Sequence, residues 1–161
     1  MTTDPRAIDD FLRMAIRLAV DNVATGRGGP FGAVIVSGDQ VVGRGTNLVT
    51  ATHDPTAHAE VVAIRHACQA KHHFALEGCE IYTSCEPCPL CLAAIYWARI
   101  ERIFYAANCD DAAAAGFDDR VFYQELAKPA ALRTVPMTQR IRSEAQGAFE
   151  LWRNNPDRVA Y

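Results

Sequence analysis

The 161-residue chain contains no apolar run approaching the roughly 20 residues of a membrane-spanning helix. It has no internal repeat, no linker and no low-complexity tract. Neither sign of charge is in large excess: 16 Lys and Arg against 19 Asp and Glu give a formal charge of -3. That balance exerts no general pull toward nucleic acid or anionic membrane, and it favours a small-molecule substrate. Residues 1–10 are too polar and acidic for a signal peptide, so a cytoplasmic protein is expected. Gly28-Gly29-Pro30 precedes an apolar run of strand length, with no Lys-Ser or Lys-Thr pair and no following helix. Phosphate-binding loops run from strand to helix, so a tight turn is the better reading.

What the chain does have is apolar mass. Half its residues are hydrophobic, enough for one sizeable core, and the length fits a single domain over residues 1–161. Helical periodicity predicts an amphipathic helix over residues 9–24, with Phe11, Leu12, Ala15, Leu18, Ala19 and Val23 on its stripe. Runs at 31–36 and 41–47, joined by the turn residues Ser37-Gly38-Asp39-Gln40 and closed by Asn47, read as a hairpin. A second helix is expected over 57–70, burying Val61, Ile64, Ala67 and Cys68. A strand at 79–83, a helix at 89–99 and a strand at 102–107 follow. Beyond them come a small-residue stretch at 112–116, a short helix at 119–126, a short strand at 132–135 and a helix at 143–152. This order implies an α/β fold, a three-layer α/β/α sandwich around a mixed five-stranded sheet.

The six cysteines (Cys68, Cys79, Cys85, Cys88, Cys91, Cys109) sit in a chain longer than the usual disulfide-stapled domain. Metal ligation and buried free thiols are therefore expected in place of disulfides. Two short segments carry the chemistry: His58-Ala59-Glu60, and Pro87-Cys88-Pro89-Leu90-Cys91. H-x-E followed by P-C-x-x-C is the pattern of zinc-dependent base deaminases. One imidazole and two thiolates are the three protein ligands of a catalytic zinc, whose fourth position stays open to water, whereas structural zinc takes four. Each segment opens a helix, where positive partial charge and free N–H groups favour thiolates. Glu60 lies two residues from His58 and so does not share its helical face. That suits a general base and acid beside the metal; a first-turn glutamate serving the helix dipole is the plainer alternative. Cys85, in a second C-x-x-C with Cys88, and His53 are the candidate fourth ligands. Cys85 precedes the turn, and it reads as a packed thiol.

The chain resembles the cytidine deaminase superfamily well beyond the zinc pattern. Pro30-Phe31-Gly32-Ala33-Val34, Asn47, Asp54-Pro55-Thr56-Ala57-His58-Ala59-Glu60 and Ser84-Cys85-Glu86-Pro87-Cys88-Pro89-Leu90-Cys91 resemble its purine-deaminating branch. Ala94-Ile95-Tyr96-Trp97-Ala98-Arg99, Ala115-Gly116-Phe117-Asp118-Asp119 and the ending from Trp152-Arg153-Asn154 to a terminal tyrosine resemble the bacterial guanine deaminase family. The resemblance implies a cytidine deaminase-like fold, one zinc ion held by His58, Cys88 and Cys91, and proton transfer by Glu60. It implies a purine base contacted by Asn47, Asp119, Phe31, Ala59 and Trp97. It also implies a homodimer in which the tail, residues 150–161, is exchanged so that Tyr161 closes the partner's pocket. The implied reaction is hydrolysis of guanine to xanthine and ammonia, with neither nucleic acid nor membrane as partner.

The donor chemistry agrees. An ionised carboxylate only accepts hydrogen bonds, so Asp119 in a pocket favours a base rich in N–H donors, as guanine is. Asp118 and Asp119 also suit a helix N-cap, and Trp97 and Trp152 also suit a core. Two other functions share parts of the pattern. A tRNA-specific adenosine deaminase would use Asn47 and the same zinc residues, but it needs a basic face, for which Arg133, Arg140, Arg142, Arg153 and Arg158 are the available residues. A non-catalytic zinc-stabilised interaction domain needs four ligands and has no use for Glu60.

Overall fold

The computed structural model describes residues 4–161, which separate into two compact units, one ending at Asp119 and the other Arg120–Tyr161. In the first, helix α1 (Pro5–Ala24) starts four residues earlier than the periodicity predicts. The reason is local: Asp4 caps the helix by accepting from the Arg6 N–H at 2.9 Å, and Pro5 takes the position where no N–H is needed. Its buried residues are Ala15, Ala19 and Asn22, while Val23, expected on the stripe, is exposed.

Strands β1 (Gly32–Ser37) and β2 (Gln40–Thr46) form the expected antiparallel hairpin, turned by Gly38 at φ +61°. With β3 (Cys79–Cys85) and β4 (Arg102–Ala107) they make a mixed sheet in the order β2-β1-β3-β4. β1 and β3 run antiparallel; β3 and β4 run parallel. Between them lie helices α2 (Val49–Thr52), α3 (Ala59–Lys71) and α4 (Pro89–Trp97), with α5 (Cys109–Ala114) after β4.

Side-chain alternation along the strands builds two cores. Ala33, Ile35 and Ile81 meet Ala59, Ala63 and Ala67 of α3 and Ile95 of α4 on one face. Val34, Val36 and Tyr82 meet Phe11, Leu12 and Leu18 of α1 on the other. These are the three expected layers. On α3 the buried residues are Ala59, Glu60, Val62, Ala63 and Ala67; Val61, Ile64 and Cys68 are only half-buried, so the buried face is rotated from the expected one.

The expected fifth strand, at residues 132–135, is not a strand. The described sheet has four, and this stretch begins in a 3-10 turn (Ala130–Leu132). The Thr134 N–H that a ladder would use donates to the Glu125 carboxylate at 2.7 Å, and the Thr134 hydroxyl donates to it at 3.0 Å. Pro129 and Pro136 flank the stretch, and a proline has no N–H to give a ladder. The unit Arg120–Tyr161 is completed by α6 (Arg120–Ala127) and α7 (Arg142–Asn154), and it holds no buried residue among those described.

Close approach of α3 to β2 depends on Gly45. A Cβ there would collide with the Ala59 carbonyl and the Ala63 N–H. Ala59 lies between His58 and Glu60, so this contact also holds the main chain that carries both. Gly45→Ala is expected to lower stability by roughly 1–3 kcal/mol through overpacking, read from urea denaturation midpoints. An unchanged midpoint would contradict that packing.

Candidate active site

Two helix starts converge on one point. His58 is the N-cap of α3 and Cys88 the N-cap of α4; both have extended backbone, and neither side chain caps its helix. N-caps are normally Ser, Thr, Asp or Asn that bond the helix's own N–H groups. Here the side chains turn to each other. His58 therefore sits one residue before its helix, not within the first turn as the periodicity suggests. Glu60 is in the first turn of α3, and Cys91 stands three residues after Cys88 in the first turn of α4.

His58 Nδ1 lies 3.5 Å from the Cys88 Sγ and 3.4 Å from the Cys91 Sγ, and the two sulfurs are 3.7 Å apart. A tetrahedral zinc with Zn–S near 2.3 Å and Zn–N near 2.0–2.1 Å holds two sulfurs about 3.8 Å apart and a sulfur and nitrogen about 3.6 Å apart. All three edges agree within about 0.2 Å. Among the described residues this is the one His, Cys, Asp or Glu cluster with metal-ligand spacing, and it has three members. The Cys85 thiol donates instead to the Asn108 carbonyl at 3.5 Å, and burial, then the charge of Glu60, pushes it up to about 11. His53 is not in the cluster either. All six cysteines are free.

The electrostatics suit a cation. The hydrogen bond shared with Cys91 is the main reason the Cys88 thiol is pulled down to about 4; the same bond, together with burial, raises Cys91. His58 is raised chiefly by its hydrogen bond with Cys88. Glu60 is 7 % exposed, and burial raises its carboxyl above the ordinary range, partly offset by hydrogen bonds to the main chain and to Cys91. A buried carboxyl that holds a proton more readily than usual, beside a metal-ligand triad, can carry protons.

The remaining sequence-derived residues fall into two groups. Asn47 is buried at the end of β2; its N–H donates to the Phe31 carbonyl at 3.1 Å, and its Oδ1 accepts from the Val49 N–H at 3.3 Å. Phe31 packs on the core, edge-on to Phe117 with ring centroids 4.9 Å apart, which ties the β1 entry to the Gly116-Phe117-Asp118-Asp119 segment. Asp119 is half-buried; burial first, and then the negative charge of Cys88, raise its carboxyl, so it feels the field of the cluster. Ala59 is buried with its methyl in the core, which leaves its main-chain N–H at the helix start as its polar group. Trp97 ends α4, six residues and about 9 Å of helix rise beyond Cys91. It is 68 % exposed, in a shallow depression with Ala93, Tyr96 and Arg99. Tyr161 is exposed in the second unit, edge-on to Trp152.

Sequence reasoning missed two supports. Glu86 accepts from the Cys109 N–H at 3.2 Å and so binds the start of α5 to the loop before Cys88. Helix α5, read from the sequence only as a small-residue stretch at 112–116, has a signal that could have found it: Asn108 and Asp111 form a capping box. Asn22 was visible as a polar residue on the apolar side of α1, next to Leu18 and Ala19.

The relatives agree with this geometry. Residues 5–107 match the family described as cytidine and deoxycytidylate deaminase zinc-binding region. The chain is 51 % identical to a guanine deaminase of Bacillus subtilis, over 95 % of this chain and 98 % of that protein. A crystal structure of guanine deaminase from Bacillus subtilis superposes with a TM-score of 0.93 at 49 % identity, covering 100 % of this chain and 99 % of the other. A tRNA-specific adenosine deaminase of Aquifex aeolicus is 40 % identical over 60 % of this chain and 64 % of its own length. With the His58, Cys88 and Cys91 triad dimensioned for zinc, the chain belongs to the zinc-binding cytidine and deoxycytidylate deaminase family, in its guanine deaminase branch.

Proposed function

We propose that the protein hydrolyses guanine to xanthine and ammonia. The observation that carries this reading is a three-ligand cluster of zinc dimensions with the buried carboxylate of Glu60 beside it. His58, Cys88 and Cys91 hold the zinc. When bound, zinc supplies a water acidic enough, with a pKa near 7, to attack at neutral pH. Glu60 takes one proton from the attacking water and passes it to a ring nitrogen of guanine; it then takes the second from the hydroxyl added at C2, as that oxygen becomes the carbonyl, and delivers it to the departing amine as the C2–N bond breaks. Asn47 and Asp119 orient the base, Phe31 packs on its ring, and the Ala59 N–H faces it. An acceptor-only carboxylate at Asp119 matches the N1–H and exocyclic amine of guanine better than the donor-poorer edge of adenine.

Full-length similarity to a guanine deaminase, against 60 % coverage for the tRNA-specific relative, supports a free base as substrate. A scaffold with structural zinc would need a fourth protein ligand. The test is ammonia release from guanine, adenine, cytosine, their nucleosides and an aminotriazine. Guanine is expected to be turned over with no RNA present; activity only on an anticodon-containing RNA would overturn the proposal.

A homodimer with exchanged tails, residues 150–161, belongs to the same proposal, with Trp97 and the partner's Tyr161 closing the pocket. Its support is an apolar surplus: Phe122, Phe149, Leu151, Trp152 and Tyr161 are all exposed in a unit with no buried residue. Exposed apolar surface on that scale calls for a partner. Sedimentation at micromolar concentration is expected to give a dimer, and removal of residues 150–161 to lower guanine turnover while zinc is retained. A monomer with full activity would contradict the exchange. A cytoplasmic location completes the proposal, supported by the six free cysteines; no described helix is long and apolar enough to cross a membrane.

A further inference from the structure

Asn22 is fully buried near the end of α1, where an amphipathic helix would ordinarily place an apolar side chain. Its Nδ2 donates to the Gly29 carbonyl at 2.9 Å and to the Asn47 carbonyl at 2.8 Å. Its Oδ1 is buried and accepts nothing among the described residues. The orientation of the amide follows from this: turned over, it would set an oxygen against two carbonyls. The residue is there for its donors, and a buried acceptor left unsatisfied is the cost. Its main-chain carbonyl accepts from the Arg27 N–H at 3.1 Å, so the same residue also ends the helix and starts the loop.

The two carbonyls it holds belong to segments that meet at Phe31. Gly29 precedes Pro30 and Phe31, and Asn47 is itself bonded to Phe31 through its N–H. The loop lies so near Asn47 that a Cβ on Gly28 would overlap the Asn47 carbonyl and crowd the Asn22 amide. Gly28, in the stretch that resembles a phosphate loop in the sequence, thus lets the chain pass over Asn47.

We propose that Asn22 is a positioning residue for base recognition, fixing the main chain of Asn47 and of the Gly28-Gly29-Pro30 loop so that Asn47 and Phe31 meet the base in register. This rests on the assignment of Asn47 to the substrate. His58 and Glu60 sit at the start of α3 and Cys88 and Cys91 at the start of α4, so zinc content and the proton-transfer step are expected to be insensitive to Asn22.

The test compares Asn22→Ser, Asn22→Asp, Asn47→Ala and the double variant Asn22→Ser/Asn47→Ala for kcat and KM on guanine, with zinc content measured on each. Asn22→Ser keeps one donor and is expected to raise KM by about tenfold while kcat changes by less than about threefold. Asn22→Asp replaces the donors with an oxygen facing two carbonyls, and should lose roughly a hundredfold in kcat/KM. The double variant should lose clearly less than the product of the two single losses, because part of the effect of Asn22 passes through Asn47. An unchanged KM in Asn22→Ser, or losses that multiply in the double variant, would overturn the inference even if Asn22→Asp fails to fold. Normal guanine turnover by Asn47→Ala would overturn the substrate role of Asn47, and this inference with it. A loss confined to Asn47→Ala overturns the inference alone.

Discussion

Glu60→Gln is expected to reduce guanine turnover by roughly two to four orders of magnitude while zinc stays bound at the wild-type level. The substitution keeps volume and hydrogen-bonding reach but removes the group that exchanges protons. Its setting makes the expectation specific. Glu60 is buried in the first turn of α3, next to Cys91, and burial raises its carboxyl, so it takes up a proton more readily than a surface glutamate would. A first-turn glutamate serving only the helix dipole would be replaced by Gln with a change of well under about 1 kcal/mol in stability and none in rate. Turnover within about threefold of wild type, with zinc retained, would end the assignment, since general acid–base groups contribute far more.

His58→Ala is expected to lose most of the zinc and, with it, activity. Removing even a group that only hydrogen-bonds a metal ligand costs about 10- to 100-fold in metal affinity, and removing a ligand itself costs more. The loss should exceed that of an ordinary surface histidine because the cluster has no spare member: Cys85 is turned to the Asn108 carbonyl, and the described ligand set stops at three. Metal analysis after gel filtration measures it directly. Full zinc occupancy in His58→Ala would mean that the ligand set has been misassigned.

The cluster of His58, Cys88 and Cys91 was legible in the sequence because metal chemistry requires particular residue types at particular spacings, and no packing argument is needed to see His58-x-Glu60 and Cys88-x-x-Cys91. The two faces of β1 were legible for a similar reason: a run of apolar residues at strand length, buried on both sides. What the sequence misplaced was decided by contacts at a distance. Residues 132–135 have strand-like composition, but Glu125 captures the Thr134 N–H and flanking prolines withhold two more donors. Val23 lies on the helical stripe of α1 yet is exposed, while its neighbour Asn22 is buried and holds two carbonyls from other segments. His58 and Cys88 occupy N-caps without capping, and such breaks of a local rule are expected at functional sites.

In the proposed function, His58, Cys88 and Cys91 determine that hydrolysis occurs, and Asn47, Asp119 and the segments that hold them determine which base is hydrolysed. Both parts depend on a zinc site with one open position. X-ray absorption at the zinc edge of the purified holoprotein measures that directly. The expected result is two sulfur ligands at about 2.3 Å and two lighter ligands at about 2.0–2.1 Å, one an imidazole and one exchangeable solvent. A third sulfur, which Cys85 would have to supply, or a closed shell of four protein ligands would contradict it.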